Sequence, residues 1–349
     1  MVKAIDKNSI HSILLTRYKF IGDVVLTTPI IRSIRNSFPN AHLVYLCETK
    51  GASLLKGNPF LDEIIEFNDK KNTFLETFLL LKKIRQKKFD VIIDLFSNPR
   101  TALWTKWSGV KNKIGFKKGA RSSVYTHQIK IENNLESTIS QNYKTLLPLG
   151  IEPNNFETKI YLSDSEKEEA KRYLHWQGVE LTKPIIAIHP GATWKNKCWL
   201  PENFSALIDL LSAKTDSEII ISPGPNDSEL INLIVNNSFG KVKILPLLPV
   251  RQLAAILSIC KVFVSNDCGP MHIGVAVGTP TIGIFGPEPP EIWFPYSEKD
   301  GHKYFFSKLE CSPCRMTFCK LAEENYLLCM QKITAEEIFY AVKERLPIN

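Results

Sequence analysis

No apolar run in this sequence of 349 residues approaches the ~18 residues that a membrane-spanning helix requires. The first eleven residues are polar and lack the apolar segment of a secretory signal. The composition, 44% hydrophobic and 23% charged, argues against a disordered chain. We therefore expect a soluble, cytoplasmic protein, and a length well above the ~100–200 residues of a typical domain favours two domains.

Several common catalytic and ligand-binding motifs are missing as well. The sequence has no G-x-G-x-x-G after its first strand and no G-x-x-x-x-G-K-[ST], which counts against a nicotinamide dehydrogenase and a P-loop NTPase. It also lacks a serine nucleophile elbow, an H-E-x-x-H motif and a D-x-D metal–phosphate motif. The chemistry must therefore come from other loops.

Acidic residues are scarce between residues 81 and 121. This window holds twelve Lys and Arg but only two acids, Asp90 and Asp94, so its excess of positive charge is larger than the +8 of the whole chain. One interpretation is a solvated helix face with its loops. The other is a surface for a polyanion, which could be nucleic acid, a phosphorylated glycolipid or an anionic membrane.

Short apolar runs alternate with helical patterns along the chain. Strands are predicted at residues 12–16, 42–46, 61–67, 90–95, 184–189, 218–222, 242–245, 262–265 and 281–285. Between them, helical spacing predicts one continuous helix at 23–38, an amphipathic helix at 73–87, and a last helix from residue 335. This alternation predicts an α/β protein with parallel sheets, in two halves that we divide as residues 1–165 and 166–349.

Three loops that follow apolar strands carry the candidate chemistry, because open α/β sheets bind ligands there. In the first, Asp23 stands where a helix begins, either as its N-cap or as a carboxylate that takes a proton from a substrate hydroxyl. In the second, Thr193 and Lys197 could hold a diphosphate. In the third, Gly269 at a helix start suits phosphate, whereas Asp267 suits ribose or loop structure, and His272 could donate to phosphate or only pack.

Taken together, these loops resemble the ADP-heptose:lipopolysaccharide heptosyltransferases of Gram-negative bacteria. The resemblance rests on ILLTRYKFIGDVVLTTPIIRSIRNSFPNA at 13–41, HPGATWKNKCWLPENF at 189–204 and SNDCGPMHIGVAVGTPTIGIFGP at 265–287. It implies the GT-B fold, glycosyltransferase family 9, with two Rossmann-like domains facing an interdomain cleft. The N-terminal domain would bind the acceptor, the C-terminal domain would bind the nucleotide sugar, and the last helix would pack back on the N-terminal domain.

The same resemblance implies an inverting, metal-independent transfer of heptose from its ADP sugar to a core hydroxyl, and the missing D-x-D agrees with this. Asp23 matches the catalytic base, and Arg17 matches a basic position beside it. The donor-binding residues would be Thr193, Lys197, Asn226, Asp267, Cys268, Gly269 and His272. The acceptor-binding residues would be Arg17, Arg100, Lys117, Lys118 and Arg121.

Two donor positions depart from the family pattern. Asn226 stands where some members have a ribose-binding Glu, and Cys268 stands where Ser or Thr is common. The expected partners are ADP-heptose, a phosphorylated lipid A–core acceptor and the cytosolic face of the inner membrane, with no cofactor, no nucleic acid and a monomeric state. Two alternatives are a transferase of the same family with another donor or acceptor, and a polyanion-binding protein without catalysis. Asp23 argues against the second alternative, because binding alone needs no carboxylate in a basic loop.

Four of the eight cysteines are clustered in the sequence, as Cys311-x2-Cys314-x4-Cys319-x9-Cys329. This spacing permits a tetrahedral zinc site, but it is equally compatible with reduced structural thiols. Disulfides would be unusual in a cytosolic enzyme. We predict no metal at the reaction site itself.

Overall fold

The computed structural model describes residues 4–68, 74–132 and 135–347 and divides into two compact units, Met1–Tyr161 and Leu162–Asn349. A division between residues 165 and 166 would cut a helix, Asp164–Trp176. That helix begins at a capping box in which Ser163 and Glu166 satisfy each other's backbone N–H groups. Arg251 holds Glu166 from a helix of the second unit and lowers the pKa of its carboxyl to about 2. The whole helix therefore belongs to the second unit.

The first unit is a six-stranded parallel sheet with helices between its strands. Its strands are β1 Ser12–Thr16, β2 His42–Glu48, β3 Glu63–Phe67, β4 Val91–Asp94, β5 Asn112–Phe116 and β6 His127–Ile129. Its helices are α1 Ile21–Val25, α2 Thr28–Ser37, α3 Thr49–Leu55, α4 Phe74–Gln86, α5 Pro99–Trp107 and α6 Thr138–Lys144. The strand order is β3-β2-β1-β4-β5-β6, so the order reverses between β1 and β4.

The second unit repeats this plan. Its strands are β7 Ile185–His189, β8 Glu218–Ile221, β9 Lys243–Ile244, β10 Val262–Asn266, β11 Thr281–Phe285 and β12 Lys303–Phe306. Its helices are α7 Asp164–Trp176, α8 Pro201–Lys214, α9 Ser228–Asn236, α10 Val250–Leu257, α11 Gly269–Ala276, α12 Pro290–Trp293, α13 Leu328–Gln331 and α14 Ala335–Lys343. The order β12-β11-β10-β7-β8-β9 reverses between β7 and β10. In open α/β sheets such reversals are where ligands bind, beyond the carboxyl ends of the strands.

The helix predicted at 23–38 is in fact two helices, α1 and α2. Pro29 in the first turn of α2 has no N–H to continue the hydrogen-bond ladder of α1, and its ring would collide with the preceding turn. The carbonyl oxygen of Val25, which an N–H at position 29 would meet in a continuous helix, instead accepts the hydroxyl of Thr28 at 2.8 Å. Asp23 consequently lies on a single helical turn of its own, directly after β1.

The predicted helix at 73–87 is observed as α4, and its predicted first residue, Thr73, lies outside the described residues. Sequence reasoning missed three strands and five helices: β5, β6, β12, α3, α5, α6, α12 and α13. These elements mix polar and apolar residues without a clear period, as in NKIGF of β5. The three missed strands lie at or next to a sheet edge. None of them borders either point at which the strand order reverses.

The last helix, α14, is part of the core of the second unit. Ile338, Phe339 and Val342 are buried in one cluster with Phe204 and Ile208 of α8. This burial holds α14 against α8 within its own unit.

Among the described helices, none combines the length and the hydrophobicity that crossing a bilayer would demand.

Candidate active site

Asp23 lies beyond the carboxyl end of β1, in the first turn of α1. The N-cap of this helix is Phe20, so Asp23 is not the N-cap that one interpretation of the sequence made it. Its Oδ1 instead forms an ion pair with Nη2 of Arg17 at 2.5 Å, and both side chains are largely buried. The carboxylate is thus held in one place while keeping a small exposed surface.

Arg17 links β1 to the loop that follows β4, across the strand-order reversal. Its Nη1 donates to the carbonyl oxygen of Leu95 at 2.7 Å, and its guanidinium lies 4.5 Å from the centre of the Phe96 ring. A planar guanidinium suits this double role, because it can stack and donate at once. Arg17 therefore fixes the position of Asp23 relative to the central strands.

Two further predicted basic residues come to the same edge. Nζ of Lys118 donates to the carbonyl oxygen of Phe96 at 3.2 Å. Partial burial of this ammonium group, with the charges of Arg17 and Arg121 nearby, lowers the pKa of Lys118. Arg17, Asp23 and Arg121 all lie within electrostatic range of Lys118, and we call these four residues the Asp23 cluster.

The other two predicted acceptor residues are placed differently. Nη1 of Arg100 donates to the hydroxyl of Tyr18 at 2.8 Å, next to Arg17 in the sequence. Lys117 is exposed, and its backbone N–H donates to the carbonyl oxygen of Ile129 at 2.7 Å. The structure thus ties Arg100 to the loop of the Asp23 cluster and leaves Lys117 as a surface residue.

The basic window at 81–121 does not form one surface. Lys83 of α4 and Lys87, the first residue after it, both pair with Glu63, which begins β3 at the amino edge of the sheet. Lys118 and Arg121 belong to the opposite, carboxyl edge, because they follow β5. A helix between parallel strands runs back along the sheet, and this divides a charge run that is continuous in the sequence between two edges.

Asp94 is a functional neighbour that sequence reasoning missed. It is fully buried at the end of β4, where its carboxylate accepts hydrogen bonds from Thr16, Ser97 and the Tyr125 hydroxyl. Burial and the charge of Asp94 raise the pKa of Tyr125. Asp94 therefore fixes the β1 and β4 ends that carry the Asp23 cluster. Its position as the last residue of an apolar strand was the available signal.

In the second unit, Lys197 lies in the loop between β7 and α8. Its Nζ pairs with Oδ2 of Asp267 at 2.6 Å and lies 4.7 Å from the centre of the Trp194 ring. Asp267, which is 5% exposed, follows β10, the neighbour of β7. The sequence suggested either ribose binding or loop structure for Asp267. The ion pair with Lys197 serves the second of these roles, because it holds the two loops together.

Asn266 binds the same two loops together and was not predicted. Its side-chain amide donates to the carbonyl of Pro190 at 2.6 Å, and its oxygen accepts the N–H of Trp199 at 3.0 Å. Because the residue is fully buried, these bonds are shielded from water. The loop that carries Thr193, an exposed residue, and Lys197 is thereby fixed at both ends.

The turn from β10 into α11 contains the remaining predicted donor residues. Gly269 begins α11, and the thiol of the N-cap residue Cys268 lies 3.3 Å from the Ser265 hydroxyl. Burial raises the pKa of the Cys268 thiol to about 12, so it remains protonated. Nδ1 of His272 lies 2.7 Å from the Tyr296 hydroxyl, and burial lowers the pKa of His272 to about 3. His272 is therefore a neutral hydrogen-bonding group at physiological pH.

The loop after β8 is fixed by Asp227, the neighbour of the predicted Asn226. Oδ2 of Asp227 accepts the N–H of Gly224 at 2.6 Å. A side chain at Gly191 would place its Cβ 1.8 Å from the same oxygen, so only glycine fits there. Asn226 itself is exposed, with no role in this packing.

The four clustered cysteines, Cys311, Cys314, Cys319 and Cys329, line one cavity of about 190 Å³. All are free thiols, so the structure contains no disulfide among them. Burial, followed by the charges of the other three, raises the pKa of Cys329 to about 11. Within the described ranges, no three His, Cys, Asp or Glu side chains are arranged to hold a metal ion.

Comparison with known proteins decides the family. Residues 77–324 match the sequence model of glycosyltransferase family 9 (heptosyltransferase), which is more than half of the chain. The chain belongs to glycosyltransferase family 9. This family 9 protein is an enzyme, and a non-catalytic polyanion-binding role is thereby set aside.

Individual relatives agree with this family. The chain is 28% identical over 298 residues to lipopolysaccharide heptosyltransferase 3 of Escherichia coli, covering 80% of this chain and 84% of that protein. Among solved structures, a family 9 glycosyltransferase from Veillonella parvula superposes with a TM-score of 0.82, at 21% identity and 98% coverage of both chains. E. coli ADP-heptose lps heptosyltransferase II gives 0.77, at 18% identity and 95% and 98% coverage. These likenesses confirm the GT-B fold predicted for the family 9 enzyme.

Proposed function

We propose that this enzyme transfers a heptose from ADP-heptose to a hydroxyl of the lipopolysaccharide inner core. The observation that carries the proposal is the Arg17–Asp23 pair, a fixed carboxylate at the strand-order reversal of a family 9 glycosyltransferase. The choice of sugars is supported by the names of the relatives, a lipopolysaccharide heptosyltransferase and an ADP-heptose lps heptosyltransferase.

Asp23 acts as the general base. It takes the proton of the acceptor hydroxyl while that oxygen attacks the anomeric carbon from the face opposite ADP, so the configuration inverts. The new glycosidic bond forms as the bond from the anomeric carbon to the diphosphate oxygen breaks, and ADP leaves with the electron pair. Arg17 orients the carboxylate through its ion pair with Oδ1.

The second unit binds the donor and stabilises the leaving ADP. Lys197 supplies a positive charge, Thr193 a hydroxyl donor, and the start of α11 at Gly269 supplies backbone N–H groups with a positive helix end. His272 contributes as a neutral donor, because its pKa of about 3 leaves it uncharged at neutral pH. With these groups opposite the diphosphate, we propose a reaction that needs no metal and no cofactor. The remaining residues of the proposed donor-binding loops are Asn226, Asp267 and Cys268.

The acceptor is proposed to be a phosphorylated lipid A–core molecule, bound by the first unit. Arg17, Arg100, Lys118 and Arg121 would meet its phosphates, with Lys117 on the adjoining surface. Such an acceptor is part of a membrane, so the enzyme would work as a monomer in peripheral contact with the cytosolic face of the inner membrane, without nucleic acid.

Product mass tests the proposed reaction. Purified enzyme is incubated with ADP-heptose and a series of truncated core acceptors, and the acceptor gaining one heptose residue identifies the step. The expected result is a single heptose addition to one of the inner-core acceptors. Transfer of a different sugar from another nucleotide donor, with none from ADP-heptose, would contradict the donor assignment.

Neutralising the basic residues of the carboxyl edge is expected to weaken acceptor binding. A Lys117→Gln, Lys118→Gln, Arg121→Gln variant should raise the acceptor KM by about tenfold or more at low salt and less at high salt, because salt screens exposed charges. The measurement is the KM for a delipidated, soluble acceptor at two salt concentrations. Lys83→Gln with Lys87→Gln is the matched control, since these lysines lie at the other edge and pair with Glu63. An equal rise of the acceptor KM in the control variant would contradict the proposal that the carboxyl edge binds the acceptor.

A further inference from the structure

Helix α4 has two apolar sides, although only one is needed for the core. Leu80, Leu81 and Ile84 are buried against the sheet in one cluster with Trp104 of α5. The opposite side shows four large apolar side chains to solvent: Phe74 (86% exposed), Leu75 (62%), Phe78 (54%) and Leu79 (48%). Large apolar groups placed together on a surface mark an interaction site, whereas single ones are ordinary.

The exposed side of α4 has an apolar first half and a basic second half. Phe74 and Phe78 are four residues apart, as are Leu75 and Leu79, so all four share a side of the helix. Continuing at the same spacing, Lys82 lies four residues after Phe78, and Arg85 lies seven residues after it. We call Phe74, Leu75, Phe78, Leu79, Lys82 and Arg85 the outer face of α4.

Nearby residues of α5 extend this face. Nε of Arg85 donates to the carbonyl oxygen of Trp107 at 2.8 Å, which places the ends of α4 and α5 side by side. Trp107 is 42% exposed. An exposed tryptophan beside cations and aliphatic groups is typical of side chains that lie at a membrane–water interface.

We propose that the outer face of α4 docks on the surface of an anionic lipid bilayer. Apolar residues would enter the boundary between headgroups and acyl chains, and the cations beside them would meet lipid phosphates. The charges select this occupant over a second copy of the chain. The outer face contains no acidic residue, so a symmetric contact would bury its cations without an opposite charge, in a protein that already carries +8.

The orientation of α4 would place a docked bilayer near the edge of the sheet that carries the Asp23 cluster. The helix connects the carboxyl end of β3 to the amino end of β4, so its apolar first half lies toward the edge of the sheet that carries the Asp23 cluster. A bilayer at that half would bring the headgroup of a glycolipid to the same edge. This use of the docking rests on the proposed function, but the docking itself does not.

Vesicle binding of the full chain tests the docking without any glycolipid. Vesicles of phosphatidylcholine alone are compared with vesicles containing about 30% phosphatidylglycerol, by co-sedimentation. We expect at least about tenfold stronger partitioning onto the anionic vesicles, because each cation near such a surface contributes about 1 kcal/mol and 1.4 kcal/mol is tenfold. A Leu75→Glu, Phe78→Glu variant should lose about tenfold or more of this binding, and Lys82→Glu should lose a smaller part that shrinks at high salt.

Phe239→Glu is the matched control, because Phe239 is 99% exposed and lies in the second unit. It should bind vesicles like the unaltered protein. Far-UV circular dichroism and product formation on a delipidated acceptor should be unchanged in all variants, which separates docking from folding and from the proposed transfer. The docking is wrong if the α4 variant binds vesicles as the unaltered protein does. It is equally wrong if sedimentation velocity shows an oligomer that only the α4 variant splits, since the face would then belong to a second copy.

Discussion

Asp23→Asn is expected to lower kcat by about 10²–10⁴-fold, the range in which a positioned general base contributes. The amide keeps the size of the side chain and its oxygen can still accept from Arg17, but it cannot take a proton. The proposed donor site lies in the second unit, so the affinity for ADP should stay within about twofold. The measurements are the turnover of heptose transfer and the titration of ADP by calorimetry.

Asp62→Asn provides a matched control for this experiment. Asp62 forms an ion pair with Arg35 at 2.5 Å, the same distance as in the Arg17–Asp23 pair, but it precedes β3 at the amino edge of the sheet. Breaking this pair should leave turnover unchanged. If Asp23→Asn kept full turnover, or if both variants lost it equally, Asp23 would not be the base.

Lys197→Ala is expected to lower kcat/KM for the donor by about 10²–10³-fold, the usual effect of removing one group that stabilises developing negative charge. Donor affinity and turnover should fall together, because the ammonium group meets the diphosphate both before and during its departure. The acceptor KM should not change. An effect confined to the acceptor would contradict the placement of Lys197.

Two further variants separate this role from folding. Lys195→Ala removes an exposed lysine two residues away on the same loop and should change donor kinetics less than about threefold. Lys197→Ala leaves the buried Asp267 without its cation, which lowers stability. The double variant Lys197→Met, Asp267→Asn removes both charges and should restore the melting temperature while donor kinetics stay impaired.

Local patterns were sufficient for much of the fold. Alternation of apolar runs and helical spacing predicted nine strands and the parallel, two-unit plan, because backbone geometry imposes those periods on any segment with one buried face. The same reasoning overlooked one local signal, Pro29, which separates α1 from α2. It also missed β12, because this segment shows no period of its own.

The candidate residues divide in the same way. Asp23, Lys197 and Asp267 could be named from the sequence, because each follows a recognisable strand and their loops resemble a family. Asn266 and Tyr296 could not, since each acts through a partner remote in the sequence, Pro190 and His272 respectively. No local pattern records such a partner.

By itself, the sequence determined the class of protein: it excluded a spanning hydrophobic segment and the commonest nucleotide motifs, and its loops predicted a family that the comparisons confirm. It also determined that positive charge is concentrated between residues 81 and 121. Only the tertiary structure decided what that charge can do. The helices between parallel strands return the chain to the opposite edge, so Lys83 and Lys87 pair with Glu63 while Lys118 and Arg121 join Asp23. The sequence therefore gives the charge of a segment, but the fold decides at which edge of the sheet each charged residue lies.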